Sequence, residues 1–306
     1  MGWKYTICLL RIINCLIIYR FETTTNKGKK MNKTYVIAEI GINHNGDMKL
    51  AKELIFNAYK AGADAVKFQK RTIDKVYSKD ELDKTRESPW GTTNRQQKEG
   101  LEFNIGQYQE LYNLNKDLKM DFIVSCWDTE SIELIENNLD VDYHKVASAM
   151  VTDKRFLEKL NQTGKPVILS TGMCSESYIT AALDVLDNVK YVLACTSTYP
   201  TVAEEVNLRH INTLKVNYPE YKIGFSNHYS GHDACIGAVA LGAECVEFHI
   251  TKDRSMYGSD QTASIESSTE LVTGIRKMEK MRGDGKKIIY ESELPIEAKL
   301  RKVNDL

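Results

Sequence analysis

Short apolar runs rich in β-branched and aromatic residues alternate along the chain with stretches whose apolar positions repeat at helical spacing. The first pair is a strand at Tyr35–Ile40 and an amphipathic helix at Met48–Ala61, which ends at Gly62 because glycine readily takes the left-handed C-cap conformation. The same pattern predicts seven further strands, at Ala65–Phe68, Phe122–Ser125, Tyr143–Val146, Val167–Ser170, Tyr191–Cys195, Ile223–Phe225 and Cys245–Phe248.

Most of the intervals between these strands are long enough for a helix. Eight βα units in series favour a closed α/β barrel, the TIM (β/α)8 fold, over an open sheet. A barrel of about 250 residues nearly exhausts a chain of 306 residues, so we expect a single domain over residues 31–306. The helices are predicted at Glu130–Asn137, Lys154–Thr163, Ser177–Asp187, Leu208–Tyr218 and Asp233–Leu241, with a closing helix after Ser267 and a turn at Gly283–Gly285.

Two regions fall outside this pattern. The apolar run at Ile7–Ile18 is short for a membrane span and lacks a good signal-peptide cleavage site, so residues 1–30 are expected to be disordered or a start-site artefact before Met31. A membrane anchor is the alternative. The polar stretch Arg71–Gly100 is too long for an ordinary connection and is predicted to be a lid or binding loop, with a solvated insertion as the alternative.

Composition narrows the choice of partner. Lys and Arg number 41 against 42 Asp and Glu, so no overall field attracts nucleic acid or an anionic membrane, and a small molecule is the expected partner. Seven cysteines without a C-x-x-C pair suit neither a disulfide framework nor a structural zinc site, which favours the reducing cytoplasm.

Polar residues occur at the ends of nearly all the predicted strands. In a TIM barrel these positions converge on one mouth, where the functional residues lie. One such residue alone is more often a capping or surface residue, but their convergence indicates a site. They are Glu39, Lys67, Gln69, Ser125, Lys145, Ser148, Ser170, Ser197, Tyr199, Ser226, His228, Glu247 and His249.

His228 and His249 follow neighbouring strands, which lie about 5 Å apart in a sheet. Two imidazoles with room for other oxygen ligands suit a divalent metal such as Mn, Fe, Co or Zn; two unconnected core histidines are the alternative. Lys67 and Lys145 end apolar strands, where a buried ammonium costs several kcal/mol unless an anion compensates it. That anion is a bound phosphate and carboxylate, or else a buried Asp or Glu.

Two acidic residues stand beside flexible turns. Glu39 precedes the loop Gly41–Gly46 and is placed to meet a substrate hydroxyl or to cap the loop. Asp260 closes the turn Tyr257–Asp260 and is placed to hold sugar hydroxyls, with a solvated turn residue as the alternative.

Ordered motifs over residues 34–265 resemble the N-acetylneuraminate (sialic acid) synthase family. They are AEIGINHNGD at Ala38–Asp47, AGADAVKFQ at Ala61–Gln69, YHKVAS at Tyr143–Ser148, GKPVILSTGM at Gly164–Met173, CTSTYPT at Cys195–Thr201, IGFSNH at Ile223–His228, GAVALGA at Gly237–Ala243 and VEFHIT at Val246–Thr251.

The resemblance implies an enzyme that condenses phosphoenolpyruvate with N-acetylmannosamine or a related amino-sugar aldehyde, giving N-acetylneuraminate or a similar nonulosonic acid and phosphate. It implies a divalent metal at His228 and His249, with Mn expected and Mg, Co or Zn as alternatives. Glu39, Lys67 and Lys145 become the catalytic residues. The implied phosphoenolpyruvate contacts are Lys67, Ser125, Lys145, Ser148, Ser170, Ser197 and Ser226, and the implied sugar contacts are Glu39, Gln69, Tyr199, Glu247 and Asp260.

The chain departs from the family pattern at three points. A phosphate-site threonine of many members aligns only to Ser125 or Cys126, and Ser197 stands where many have asparagine. We expect the C-terminal antifreeze-like domain of typical members, which lends an arginine to the sugar in a domain-swapped dimer, to be absent from this protein. We therefore expect the sugar to be held differently, by Arg71–Gly100 for example, or the substrate to have changed. A homodimer through the barrel stays open, whereas the swapped form is excluded.

Three rival functions remain at this level. One is the synthesis of legionaminic or pseudaminic acid. Another is a non-catalytic barrel that binds a sugar or phosphate. The third is an unrelated aldolase with Lys145 as a Schiff-base lysine.

Overall fold

The computed structural model describes residues 33–302, in which eight parallel strands close into a barrel. The strands run around the barrel in the order β1, β2, β5, β6, β7, β8, β9, β10, and β10 pairs with β1. All eight predicted strands are present, and no predicted end is more than two residues from the observed one. The strands are β1 Tyr35–Gly41, β2 Ala65–Lys70, β3 Thr85–Ser88, β4 Gly91–Thr93, β5 Asp121–Cys126, β6 Tyr143–Val146, β7 Val167–Ser170, β8 Val189–Cys195, β9 Lys222–Asn227 and β10 Cys245–His249.

Helices cover the outside of the barrel. The predicted first helix has the expected bounds, with Asp47 as N-cap and Gly62 as left-handed C-cap (φ 83°). The α-helices are α1 Met48–Ala61, α2 Ile73–Val76, α3 Lys79–Leu82, α4 Asn94–Leu101, α5 Ile105–Asp117, α6 Thr129–Glu136, α7 Lys154–Asn161, α8 Glu176–Leu183, α9 His210–Asn217, α10 Asp233–Ala240, α11 Ser268–Arg282 and α12 Leu294–Leu300.

Strand alternation divides the core into two parts. Every second side chain along a strand, such as Val36, Phe68 and Phe122, packs outward against the helices. The side chains between them, such as Ile37 and Ile123, fill the lumen. The lumen is thus a packed core along most of its length and leaves room only at one mouth.

Aromatic rings close the end of the barrel where the strands begin. Tyr35 stacks on Tyr191 with ring centroids 5.8 Å apart, and its hydroxyl donates to Asp121 Oδ2 at 2.5 Å. Burial and the neighbouring Asp121 carboxylate raise the pKa of Tyr35 far above its usual value, so the hydroxyl stays protonated. A ligand therefore has access only at the opposite end.

The segment Arg71–Gly100 is not the irregular loop that the sequence predicted. It contains α2, α3, the antiparallel hairpin of β3 and β4, and most of α4. The sequence analysis also did not single out α5. The helices α2 and α3 have four residues each and α4 has eight, too few to show a clear apolar period, whereas α4 and α5 begin at capping boxes, Thr93/Gln96 and Asn104/Gln107.

The ends of the described region bear on two other expectations. The closing helix α11 is present, and it is anchored to the start of the barrel because Thr34 N donates to Glu279 Oε1 at 2.7 Å. The turn after it has Gly283 and Gly285 at positive φ. The expectation for residues 1–30 lies outside the described residues. Within residues 33–302, no helix has the length and apolar character needed to cross a membrane.

Two glycines with the same positive φ allow a matched test of packing at the barrel mouth. Gly46 and Gly164 both have φ +67°. A Cβ added at Gly46 would lie 2.1 Å from the carbonyl oxygen of Gly100, whereas one added at Gly164 would meet nothing within 4 Å.

We predict that Gly46→Ala lowers the free energy of unfolding by about 3 kcal/mol, because a left-handed alanine costs about 1–2 kcal/mol and the backbone of α4 must also shift. Gly164→Ala is expected to lower the free energy of unfolding only by the amount that the left-handed alanine costs. Urea unfolding followed by circular dichroism measures the free energy of unfolding of both variants. Equal decreases in the two would show that the contact between Gly46 and the backbone of Gly100 is unimportant.

Candidate active site at the barrel mouth

The carboxyl ends of the strands surround a cavity of about 150 Å³. It brings together nearly all the residues that the sequence singled out. Asp260 is the exception, because it does not line the cavity but lies behind His249, with Oδ2 3.7 Å from His249 Nδ1. The lining includes Glu39, Lys67, Gln69, Ser125, Lys145, Ser148, Ser170, Ser197, Tyr199, Ser226, His228, Glu247 and His249.

The period of the strands explains this convergence. Along β1, Ile37 lies in the apolar part of the lumen, and Glu39, two residues later, lies in the cavity. Ala65 and Lys67 repeat the relation on β2, where Lys67 is the register partner of Glu39. The lumen therefore changes from apolar to charged along its axis.

Two lysines and two glutamates form a buried charge network. Lys67 Nζ lies 2.9 Å from Glu39 Oε2 and 3.7 Å from Glu247 Oε1. Lys145 Nζ lies 3.7 Å from the same Glu247 oxygen and donates to Ser170 Oγ at 2.6 Å. The structure thus shows the pairing with buried carboxylates that the sequence left open, and Glu247 bridges the two lysines.

Burial and neighbouring charges act in opposite directions on this network. Burial raises the pKa of Glu39 even though Lys67 lowers it. At Glu247 burial is outweighed by Lys145 and Lys67, which lower its pKa to about 2. Burial lowers the pKa of Lys145, whereas at Lys67 the two glutamates outweigh burial and raise it. Glu247 is therefore the firmly ionised member.

The two histidines lie side by side at the mouth, at the ends of the neighbouring strands β9 and β10. Their ring centroids are 5.3 Å apart, which agrees with the neighbouring-strand prediction. His228 Nδ1–H donates to the Thr196 carbonyl at 2.6 Å, which leaves its Nε2 free to act as a ligand atom. Burial lowers the pKa of His249 to about 3, so its imidazole is neutral.

These histidines suit a metal ion whose other ligands are not protein side chains. Nδ1 of His249 is buried and has no hydrogen-bond partner among the described residues. No group of three or more His, Cys, Asp or Glu residues is arranged around a metal position within residues 33–302. The arrangement therefore matches two imidazole ligands with further positions for water or substrate oxygens.

Three larger side chains in the lining were not singled out as functional by the sequence. Cys195 Sγ lies 3.8 Å from His228 Nδ1, and Trp127 and Met173 lie at the rim. Cys195 and Trp127 come an even number of residues after the inward-pointing Leu193 and Ile123. The alternation of side chains along the strands could therefore have predicted that both face the cavity. Tyr199 was singled out, and its ring stacks on His228 with centroids 4.0 Å apart.

The structure places Ser125, and not Cys126, in the cavity. Ser125 Oγ donates to the Lys145 carbonyl at 3.4 Å, while Cys126 packs outward with no exposed surface. After the neighbouring strand β6, Ser148 Oγ accepts a hydrogen bond from Gly172 N at 2.9 Å.

Comparison with known proteins agrees with this geometry. The sequence model of the NeuB family matches residues 54–287. The chain belongs to the NeuB family. This assignment confirms the resemblance of the motifs and removes the unrelated aldolase from the rival functions.

Members of the family and a solved structure cover most of the chain. N-acetylneuraminate-9-phosphate synthase of Homo sapiens is 35% identical over 275 residues, 88% of this chain and 76% of its own length. N,N'-diacetyllegionaminic acid synthase of Campylobacter jejuni is 36% identical over 279 residues, 86% of this chain and 81% of its own length. The crystal structure of N-acetylneuraminic acid synthetase from Leptospira borgpetersenii, in complex with citrate, has a TM-score of 0.77 at 30% identity and covers 89% of this chain and 94% of that one.

The bridging role of Glu247 gives a prediction for stability. Glu247→Gln is expected to lower the free energy of unfolding by about 3 kcal/mol, because two buried ammonium groups would then share one carboxylate. Glu158→Gln is the matched control, since Glu158 pairs with Lys154 at 3.7 Å on an exposed helix face. Chemical denaturation should show a loss only for the first variant, and similar midpoints for the two would contradict the bridging role.

Proposed function

We propose that this protein condenses phosphoenolpyruvate with an amino-sugar aldehyde of the N-acetylmannosamine type, forming a nonulosonic acid and phosphate. The observation that carries the proposal is the pair of buried lysines beside two neighbouring histidines, in a chain whose relatives are named as sialic and legionaminic acid synthases.

The phosphoenolpyruvate half of the site is assigned to the side with Lys145. Phosphoenolpyruvate carries a phosphate and a carboxylate, and a cluster of ammonium and hydroxyl donors in a buried mouth is the environment that such a polyanion needs. Lys145 and Ser170 already form one hydrogen-bonded unit, and Ser226 Oγ donates to Glu247 Oε1 at 3.1 Å. The proposed contacts are Lys67, Ser125, Lys145, Ser148, Ser170, Ser197 and Ser226.

The sugar half is assigned to the side with Glu39. Gln69 Nε2 donates to Glu39 Oε1 at 2.6 Å, which holds the carboxylate toward the cavity. Burial raises the pKa of Glu39, so this group is suited to exchange a proton with a sugar hydroxyl. Tyr199 and Glu247 complete the proposed sugar contacts in the cavity, whereas Asp260, implied as a contact by the family resemblance, lies 3.7 Å from His249 and outside the lining.

His228 and His249 would hold a divalent metal, Mn by expectation, with Mg, Co or Zn as alternatives. Such an ion supplies polarisation of the aldehyde oxygen. In the proposed reaction C3 of phosphoenolpyruvate bonds to the aldehyde carbon, water adds at C2, and phosphate leaves by C–O cleavage. Lys67 and Lys145 neutralise the phosphate from binding to departure.

The acceptor class stays broad, since the human and Campylobacter relatives match almost equally well and carry different names. Legionaminic and pseudaminic acid synthesis are therefore alternatives within the same chemistry.

We place the enzyme in the cytoplasm, which agrees with the free thiols at Cys126, Cys174, Cys195, Cys235 and Cys245. A homodimer through the barrel stays open.

Phosphate release from phosphoenolpyruvate tests the proposal. We expect release that requires an acceptor sugar and a divalent metal and that stops when a chelator is added. His228→Ala is expected to lower kcat/KM by about 10²-fold or more, since metal polarisation of a carbonyl contributes several kcal/mol.

His210→Ala is the matched control. His210 lies outside the cavity, and its Nε2 is 3.4 Å from Oε1 of Glu176. Equal losses for both variants would contradict the metal role. Folded protein that releases no phosphate with any acceptor of this class would overturn the synthase and favour a barrel that only binds a sugar or phosphate.

Trapping with borohydride tests the chemical class separately. A condensation through the enol carbon of phosphoenolpyruvate needs no covalent bond to the enzyme, so borohydride with pyruvate should leave the protein mass unchanged. An adduct on Lys145 would show Schiff-base chemistry instead.

A further inference from the structure

Three side chains on the sugar side of the cavity form a hydrogen-bonded chain that ends at the candidate catalytic carboxylate. Arg71, the first residue after β2, donates from Nη2 to Gln69 Oε1. Nε2 of the same Gln69 donates to Glu39 Oε1 at 2.6 Å. Gln69 and Glu39 line the cavity, whereas Arg71 is not part of the lining. Arg71 therefore meets the site through another side chain.

The partners of Gln69 decide which way its amide points. A guanidinium has only hydrogen-bond donors, so it binds the amide oxygen and directs the amide N–H group to Glu39. Without such a partner either end of the amide could face the carboxylate, because the two ends have nearly the same shape. An ionised carboxylate is only an acceptor, so a reversed amide would repel Glu39 and displace it.

Other contacts hold the rest of this pair in place. Tyr108 Oη donates to the Gln69 carbonyl at 2.6 Å. A Cβ added at Gly41 would lie 3.1 Å from both Gln69 Nε2 and Glu39 Oε1, so the loop after β1 lies close to the two side chains. The backbone of Gln69 is therefore fixed independently of Arg71, and the amide is the part that Arg71 controls.

The surroundings of Arg71 leave its hydrogen bond to Gln69 as the feature that needs an arginine. Its side chain is buried, which is costly for a charged group. The guanidinium stacks on the Trp127 ring 4.2 Å from the centroid. Its ion pair within residues 33–302 is long, with 3.8 Å between Nη1 and Glu102 Oε1, and the other oxygen of Glu102 lies 2.7 Å from Lys70 Nζ. A neutral side chain could fill this place at lower cost.

We infer that Arg71 is a positioning residue of the reaction, which fixes the amide of Gln69 and thereby orients the Glu39 carboxylate toward the acceptor sugar. The inference rests on the proposed function and adds to it a residue outside the cavity lining. Phosphoenolpyruvate is assigned to the side with Lys145, so a change at Arg71 should affect the use of the acceptor and not the binding of phosphoenolpyruvate. A general loss of structure would not make this distinction.

The test measures the steady-state kinetics of Arg71→Met and Arg71→Gln, using the full chain with Mn. Methionine has no donor and glutamine can donate or accept, so neither fixes the amide of Gln69. We expect kcat/KM for N-acetylmannosamine, or for whichever acceptor supports turnover, to fall by about tenfold or more in both, since a small displacement of a catalytic group is costly. KM for phosphoenolpyruvate should be unchanged.

A control variant and a double variant separate positioning from structural support. Arg95 lies on the same segment outside the cavity lining and pairs with Asp74 at 2.7 Å, so Arg95→Met should leave the kinetic constants unchanged. In a Gln69→Ala background, Arg71→Met should cause no further loss, because no amide is left to orient.

Unchanged kcat/KM for the acceptor in both Arg71 variants would overturn the inference. A full additional loss in the Gln69→Ala background, or equal increases in KM for both substrates, would also overturn it, because Arg71 would then only support the wall. If circular dichroism shows that Arg71→Met does not fold, Arg71→Gln provides the same comparison. Absence of phosphate release by the unaltered protein with any acceptor would overturn the proposed function, and the inference with it.

Discussion

The bridging of Lys67 and Lys145 by Glu247 is the interaction on which the barrel mouth depends. Each ammonium would cost several kcal/mol if buried alone, and Glu39 with Glu247 offsets that cost without opening the lumen to water. The lysines can therefore stand at the ends of apolar strands. Because the network is held by residues of several strands, the barrel must close before its charges are compensated.

The same closure joins two chemically different halves. On one side, hydroxyls surround Lys145 and favour an anion; on the other, Glu39 and Gln69 form a hydrogen-bonded pair suited to hydroxyl groups. The histidines lie between a tyrosine ring and an aspartate at the rim. The proposed condensation requires a small anion and a polyhydroxylated aldehyde to meet at one ion, and these two halves with the histidines between them suit that requirement.

Several buried polar atoms that have no hydrogen-bond partner within residues 33–302 lie around this cavity. They include Oε2 of Glu247, Nδ1 of His249, Nε1 of Trp127 and Nε of Arg71. Buried polar groups in folded proteins are normally satisfied, and exceptions tend to mark functional sites. Arg71 is the first residue after β2 and stacks on Trp127, so its Nε extends this set of atoms from the strand ends to the edge of the cavity.

The sequence by itself determined the barrel and most of the cavity lining. Both follow from local patterns, because a period of two along a strand decides which side chains point inward, and the strand end decides which of them are at the mouth. Only the tertiary structure decided which charges pair, that Ser125 and not Cys126 faces the cavity, and that Asp260 lies behind His249. It also decided the helices and hairpin within Arg71–Gly100, since long-range contacts such as the close approach of Gly100 to Gly46 hold them on the barrel. Such contacts join residues far apart in the chain, and no local pattern encodes them.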